Sequence, residues 1–362
     1  MALTFPLTQN PPPAPDADVA AILANPGFGD YFTDHMALAT WTKGQGWHDD
    51  VIKPYGPFQL DPSAAVLHYG QEIFEGMKAY RHGDGSVWLF RPEKNAQRMV
   101  ASAARLMLPE LPVDDYLTAA RELIKADHRW VPSGEAGEMS LYVRPFMFAS
   151  EAFLGVRAAE QVTFAVIASP VGPYFTGGVK PINIWVTSDY SRAGKGGTGA
   201  AKCGGNYASS LIAQYEGYEH GCSQVLFGDA GTGLDTEELG GMNVMVVTAE
   251  GELITPTLTG TILDGVTRDS ILAVASDLGL RPVQRKITLA EIFDGIDSGT
   301  ITEAFACGTA AVITPVGEFR IKSGEHHLGI EPGPHTLAIR NSILDIQYGR
   351  AEDTHGWMQC VV

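Results

Sequence analysis

A mixed α/β chain of two domains is what this sequence predicts, and three observations predict it. The chain has 362 residues, and at roughly 100–200 residues per domain two domains are the default. Strand-like and helix-like segments alternate through its second half. A run at 169–181 holds three Pro and three Gly, the composition of an interdomain linker. The expected division is a small domain over 1–168, with a loose Pro-rich arm at 1–27, and a larger one over 182–362. In the first, Val87–Phe90 reads as a strand and Arg91-Pro92 opens a helix. That helix carries Ala96, Met99, Val100, Ala103 and Leu106 on one stripe. Asp114–Trp130 reads as a second amphipathic helix, and Ser140–Phe148 and Val162–Ala168 as strands. In the second, the expected strands are Ile182–Ser188, Val225–Gly228, Val244–Thr248 and Leu253–Thr255. The helices are Asn206–Glu216, Thr267–Leu278 stopped by Gly279, and Pro334–Tyr348 stopped by Gly349. Thr288 and Glu291 have the spacing of a capping box.

Composition excludes several function classes. Lys plus Arg is 25 against 42 Asp plus Glu, a net charge of −17. Such a balance does not suit a general nucleic-acid binder or an anionic membrane surface. With 45% hydrophobic residues the chain is not disordered. Four scattered cysteines without a C-x-x-C give neither a disulfide framework nor a zinc site. No apolar run spans a membrane and the N-terminus has no basic, signal-like start, so a cytoplasmic location is expected. The ten His show no metal-ligand spacing, so no metal is expected.

The densest motif is Gly194-Lys-Gly-Gly-Thr-Gly-Ala-Ala-Lys202-Cys-Gly-Gly-Asn-Tyr207. Its single G-x-G-x-x-G match (Gly194, Gly196, Gly199) would suit a dinucleotide only if a helix opened there, yet Gly204 and Gly205 delay the helix to about Asn206. The other reading is that the glycines bring backbone and a bulky ligand close to Lys202. That lysine has no charged residue between Lys195 and Glu216, a setting that lowers a lysine pKa and favours a nucleophilic amine. The bland reading is a solvated loop lysine. Gly265 stands just before a helix, so the amides of Val266 and Thr267 are phosphate donors or an ordinary cap. Cys307-Gly-Thr-Ala310 is a similar small-residue turn. On the strand Leu141-Tyr-Val-Arg144, Tyr142 and Arg144 share one face, either as a carboxylate clamp or as an edge facing water.

Taken together, ordered motifs from about Phe28 to near the C-terminus resemble the fold-type IV, pyridoxal-phosphate-dependent aminotransferases, and among them the branched-chain amino acid aminotransferases. They are Phe32-Thr-Asp-His-Met36, Tyr69-Gly-Gln-Glu-Ile-Phe-Glu-Gly-Met-Lys-Ala-Tyr80, Leu89-Phe-Arg-Pro-Glu-Lys-Asn-Ala-Gln-Arg-Met99, Ser140-Leu-Tyr-Val-Arg-Pro145, Lys202-Cys-Gly-Gly-Asn-Tyr207 and Glu303-Ala-Phe-Ala-Cys-Gly-Thr-Ala310. The class signature is present as Glu238-Leu-Gly-Gly-Met-Asn243, Leu253-Ile-Thr255 and Leu263-Asp-Gly-Val-Thr-Arg268. The resemblance implies a small α/β domain, a larger pseudo-barrel domain, and transfer of an amino group between Leu, Ile or Val and 2-oxoglutarate. It implies Lys202 as the Schiff-base and proton-transfer lysine, Glu238 as partner of the pyridine nitrogen, and Tyr207 on the ring hydroxyl oxygen. Arg98, the amides of Val266 and Thr267, and Thr309 would hold the phosphate. Phe28, Tyr69, Phe74 and Tyr142 would form the side-chain pocket, and Leu154 and Val156 would enter it from the second subunit of a homodimer. Arg144 would take the side-chain carboxylate of glutamate, and the Ala310 amide the α-carboxylate.

Three departures stand out. Gly241 replaces a substrate-contacting Thr of the mammalian members, Met245 replaces an aromatic residue, and Ala311 to Thr314 lack the mammalian redox C-x-x-C. D-amino acid aminotransferase and aminodeoxychorismate lyase share the fold and are the near alternatives. An NAD-binding dehydrogenase is the alternative from another class.

Overall fold

The computed structural model describes all residues except 1, 9–12, 135–136 and 174–177. The last gap places part of the expected linker outside the described residues. Packing divides the chain into unit 1 (Met1–Tyr174, Ala201–Gly204, Asp345–Val362) and unit 2 (Phe175–Ala200, Gly205–Leu344).

Unit 1 is an eight-stranded antiparallel sheet. Its order is Met358–Cys360, Val87–Phe90, Met77–Arg81, Ser140–Ala149, Gln161–Val171, His35–Thr42, Gly46–Pro54. The short strand Glu72–Phe74 also pairs with Ser140–Ala149. Helices Pro92–Arg105 and Val113–Ala126 bury Ala96, Met99, Ala103, Leu117, Ala120 and Leu123 in its core, as their 3.6-residue stripes require. The second helix stops short of Trp130. Asp127 turns its carboxylate to the backbone N–H of His35 at 2.9 Å and to His35 Nδ1 at 2.7 Å, and a 3-10 turn covers His128–Trp130. This long-range pairing fixes Asp127 at the end of the helix.

The expected loose arm is corrected. Among its described residues, Leu3 and Phe5 are buried in the unit 1 core and Asp16–Ala24 is a helix. Asp50 holds the arm by accepting from the N–H groups of Thr4 and Phe5 at 2.6 and 2.7 Å. The apolar residues between the polar ones outweigh the Pro-rich composition.

Unit 2 is a nine-stranded mixed sheet. The order is Thr236–Leu239, Gln224–Gly228, Ile182–Thr187, Val312–Ile321, Ile301–Gly308, Asn243–Thr248, Glu252–Thr255, Arg281–Gln284, with Gly324–His327 paired to Val312–Ile321 off this path. Beyond its last strand the sheet returns to its first: the Thr236 N–H donates to Ile287 O at 2.9 Å, and Asp235 bridges Thr288. That return is the curl expected of a pseudo-barrel. The Thr288 hydroxyl accepts from the Glu291 N–H at 3.0 Å, one arm of the expected capping box. The helix Gly204–Glu219 opens at Gly204, earlier than the expected Asn206. It crosses between the parallel strands Ile182–Thr187 and Gln224–Gly228. Gly194 to Gly199 lie before that helix, so their amides are not its first turn, as a dinucleotide site would require. Gly199 instead lets backbone meet backbone: a Cβ there would overlap the Thr261 carbonyl. Among the described residues no helix is long and apolar enough to cross a membrane.

Candidate active site

Lys202 lies in the four-residue excursion of the chain that belongs to unit 1. Two backbone contacts fix it there. Its N–H donates to Ser102 Oγ at 2.9 Å and its carbonyl accepts from the Phe74 N–H at 2.9 Å. The ammonium stands 4.8 Å from the centre of the Phe74 ring. Burial, then the positive charge of Arg98, lower its pKa to about 8, while Glu75 and Tyr142 pull it upward and Arg144 adds to the depression. The lysine is therefore tuned by charges that its uncharged sequence neighbourhood does not reveal.

Glu75 organises this side. It is fully buried and takes Arg98 in a two-pronged contact, Nε to Oε1 at 2.7 Å and Nη2 to Oε2 at 2.8 Å. Asn95 Nδ2 adds a bond at 2.8 Å. Burial by itself would raise the Glu75 carboxyl, but Arg98, Lys202 and Asn95 hold it below its ordinary value. On the strand Ser140–Ala149 the pleat sends Tyr142 and Arg144 to one side, as period 2 requires. Arg144 Nη2 donates to the Tyr142 hydroxyl at 3.1 Å, and the guanidinium lies 4.8 Å from the Phe74 ring centre. Its Nε is buried with no hydrogen-bond partner. Phe28 leans on Tyr142 with ring centres 5.5 Å apart. Gly76 has to be glycine here, because a Cβ would overlap the Tyr142 hydroxyl. Glu72 accepts from the Gly204 N–H, and burial raises its pKa against that bond and the charge of Arg144. The Tyr69 hydroxyl donates to the Leu154 carbonyl, while the Leu154 and Val156 side chains are exposed.

Unit 2 carries a second set. Glu238, on the strand Thr236–Leu239, is buried. It pairs with Arg192 Nη2 at 2.9 Å and accepts from the Leu263 N–H at 2.7 Å. Arg192 Nη1 also donates to the Thr261 carbonyl at 2.9 Å. The helix Val266–Asp277 starts at Gly265 with no side-chain cap, leaving its first amides, Val266 and Thr267, as anion donors. A Cβ on Gly265 would overlap Asn243 Oδ1. Gly241 faces Tyr207: a Cβ there would stand 3.4 Å from Tyr207 Cε1. Thr309 and Ala310 lie in the turn between the strands Ile301–Gly308 and Val312–Ile321.

Residues 72–319, more than half of the chain, match the family described as amino-transferase class IV. The chain belongs to the class IV aminotransferases. It is 53% identical over 356 residues to the probable branched-chain-amino-acid aminotransferase of Streptomyces coelicolor, covering 98% of each chain. Its fold is similar to the crystal structure of the Escherichia coli branched-chain amino acid aminotransferase, with a TM-score of 0.73, 27% identity, and 90% of this chain and 100% of that one covered. The branched-chain amino acid aminotransferase of Thermobaculum terrenum, solved in its PLP-form, is also similar, with a TM-score of 0.72, 25% identity, and 90% and 98% covered. The two-domain fold expected from the resemblance is thereby shown, and the dehydrogenase reading falls.

Of the residues singled out in the sequence, this aminotransferase gathers Lys202, Arg98, Phe74, Tyr142, Arg144 and Phe28 within unit 1. Glu238, Tyr207, Gly241, Val266, Thr267, Thr309 and Ala310 belong to unit 2. Sequence reasoning missed Glu75, Glu72, Ser102 and Arg192. Glu72 and Glu75 sit inside a quoted motif, yet a carboxylate that serves a cation 23 residues further on leaves no local period. Arg192 had no signal of its own.

Proposed function

We propose that the chain is a pyridoxal-phosphate-dependent aminotransferase that moves an amino group between branched-chain L-amino acids and 2-oxoglutarate. The observation that carries this is the Lys202 amine, lowered to about 8 and set beside Phe74, Tyr142 and Arg144. The donor set fits the cofactor. Lys202 would hold its carbonyl carbon, and Glu238, kept in place by Arg192, would hold the pyridine nitrogen. Tyr207 would bond the ring hydroxyl oxygen, and Arg98, the uncapped amides of Val266 and Thr267, and Thr309 would take the phosphate. When bound, the cofactor supplies an electron sink for the bond broken at the amino acid's α-carbon.

The residues of the chain do the rest. Lys202 Nζ would take the α-proton of the amino acid and return it across the amino nitrogen, a 1,3 shift favoured by an amine whose pKa lies near neutrality. Phe28, Tyr69, Phe74 and Tyr142 offer apolar walls to an aliphatic side chain. Arg144, with its buried and unpartnered Nε, offers the same pocket one cation for the side-chain carboxylate of glutamate. The Ala310 amide would take the α-carboxylate.

Separate half-reactions with each amino acid test this reading. Arg144→Ala should weaken kcat/KM for glutamate roughly tenfold to a hundredfold, on the scale of a lost charged hydrogen bond. Leucine should change far less; equal losses would make Arg144 structural.

We further propose a homodimer in the cytoplasm, with Leu154 and Val156 serving the partner's pocket. Support comes from the helix Gly204–Glu219, which leaves Leu211, Ile212, Tyr215 and Tyr218 exposed on one stripe at 54–65%. Four free cysteines, three of them buried, suit a reducing compartment. Tyr215→Glu should halve the mass seen by analytical ultracentrifugation; an unchanged mass would reject this helix as the interface.

A further inference from the structure

Glu238 and Glu237 are adjacent on one strand, so their side chains leave it on opposite faces. Glu238 meets Arg192, whereas Glu237 lines a cavity of about 390 Å³ that Glu238 does not reach. Three carboxylates border this cavity, and two of them are spoken for. Asp229 accepts from the N–H groups of Gly231, Thr232, Leu234 and Asp235 and so ties its own turn. Asp235 pairs with Lys286. Glu237 differs. Only 7% exposed, it accepts from the Thr261 hydroxyl through Oε1, while Oε2 is buried with no hydrogen-bond partner. Burial raises its pKa against the Thr261 bond and the charge of Arg192. A buried carboxylate oxygen with no donor costs free energy that a cationic donor would recover.

The rest of the lining says which cation. Ala230, Pro256 and Ile262 give apolar wall, which suits an organic cation with an aliphatic body, and the Asp229 and Asp235 carboxylates are already engaged and not free to ligate a metal ion. Lys195 stands at the rim, exposed and without an ion pair among the described residues. An anion at the floor, an aliphatic wall and a free ammonium at the rim complement a zwitterion whose two charges are one carbon apart. We infer that this cavity is a second ligand site, built for a small aliphatic α-amino acid with its ammonium on the Glu237 carboxylate and its carboxylate toward Lys195. Thr261 joins it to the cofactor side of the strand: its hydroxyl serves Glu237 and its carbonyl holds the guanidinium that pairs with Glu238. That link rests on the role proposed for Glu238; the binding itself does not.

The probe is labelled 2-aminoisobutyrate, which carries both charges and two methyl groups but no α-hydrogen, so Lys202 has no proton to remove. Equilibrium dialysis against the cofactor-loaded enzyme should resolve a class of sites that Glu237→Gln weakens roughly tenfold or more, as expected for a bond to a charged group. Lys195→Glu, at an exposed position, should weaken the same class. The same acid without its amino group, 2-methylpropanoate, should not compete for that class. Identical isotherms for the wild type and both variants would overturn the site, and so would full competition by 2-methylpropanoate. Because the readout is binding, it is independent of whether Lys202 performs transamination.

Discussion

Lys202→Ala should lower transamination roughly a thousandfold or more, on the scale of losing a positioned proton carrier together with the covalent anchor, and leave the fold intact. The contacts that hold this segment use its backbone, to Ser102 and to Phe74, and survive truncation of the side chain. The change removes an ammonium that burial disfavours, so the thermal midpoint should stay level or rise. Turnover near the wild-type rate in a standard glutamate-coupled assay would refute the assignment of the lysine. The same residue gives a pH signature. An amine with a pKa of about 8 is largely neutral and reactive above that pH, whereas one at the ordinary 10.5 is not. Capture of added pyridoxal phosphate by cofactor-free protein should therefore rise through about pH 8 and then level off. A midpoint near 10.5 would show that burial and Arg98 do not act on the lysine as described.

Glu75→Ala should be strongly destabilising, costing about 3–5 kcal/mol by analogy with other broken buried pairs. Its side chain is fully buried and Arg98 is only 10% exposed, so truncation strands a guanidinium with little access to water. Urea unfolding should show a lower midpoint with an unchanged slope. The folded-state pKa of Glu75 is depressed, so its contribution is present above the carboxylate's unfolded pKa and is lost as the pH falls through the folded value. The wild type should thus lose stability on acidification and the variant should lose less. Glu75→Gln separates packing from charge. Because Glu75 holds the Lys202 pKa up, its neutralisation should move the cofactor-capture midpoint below the wild-type value. An unmoved midpoint would confine Glu75 to stability.

Much of this was legible before any coordinates, for physical reasons. The helix Pro92–Arg105 announces itself through Pro at its first turn and an apolar stripe, and Thr288 through its spacing to Glu291. The alternation in Leu141-Tyr-Val-Arg144 places the arginine and tyrosine together without knowledge of the neighbouring strands. What was hidden depends on contacts distant in sequence. Phe5 looks like part of a Pro-rich tail until the sheet offers it a core. Gly204 looks like a reason to delay a helix, yet it begins one because its N–H finds Glu72. Family resemblance named Lys202 and Glu238, but not the residues that act beside them, Glu75 on the Arg98–Lys202 side and Arg192 paired with Glu238.

The four residues Ala201–Gly204 have a consequence for how the gene can be divided. A fragment ending at residue 174 would contain Glu75, Arg98, Tyr142 and Arg144, yet lack the lysine they act on and the closing strand Met358–Cys360. A fragment starting at 175 would keep the lysine and lose every group named as setting its pKa. No single cut yields two autonomous modules: the first half depends on Ala201–Gly204 and Asp345–Val362, so shuffling or recruiting either half alone should fail unless both segments are supplied in trans.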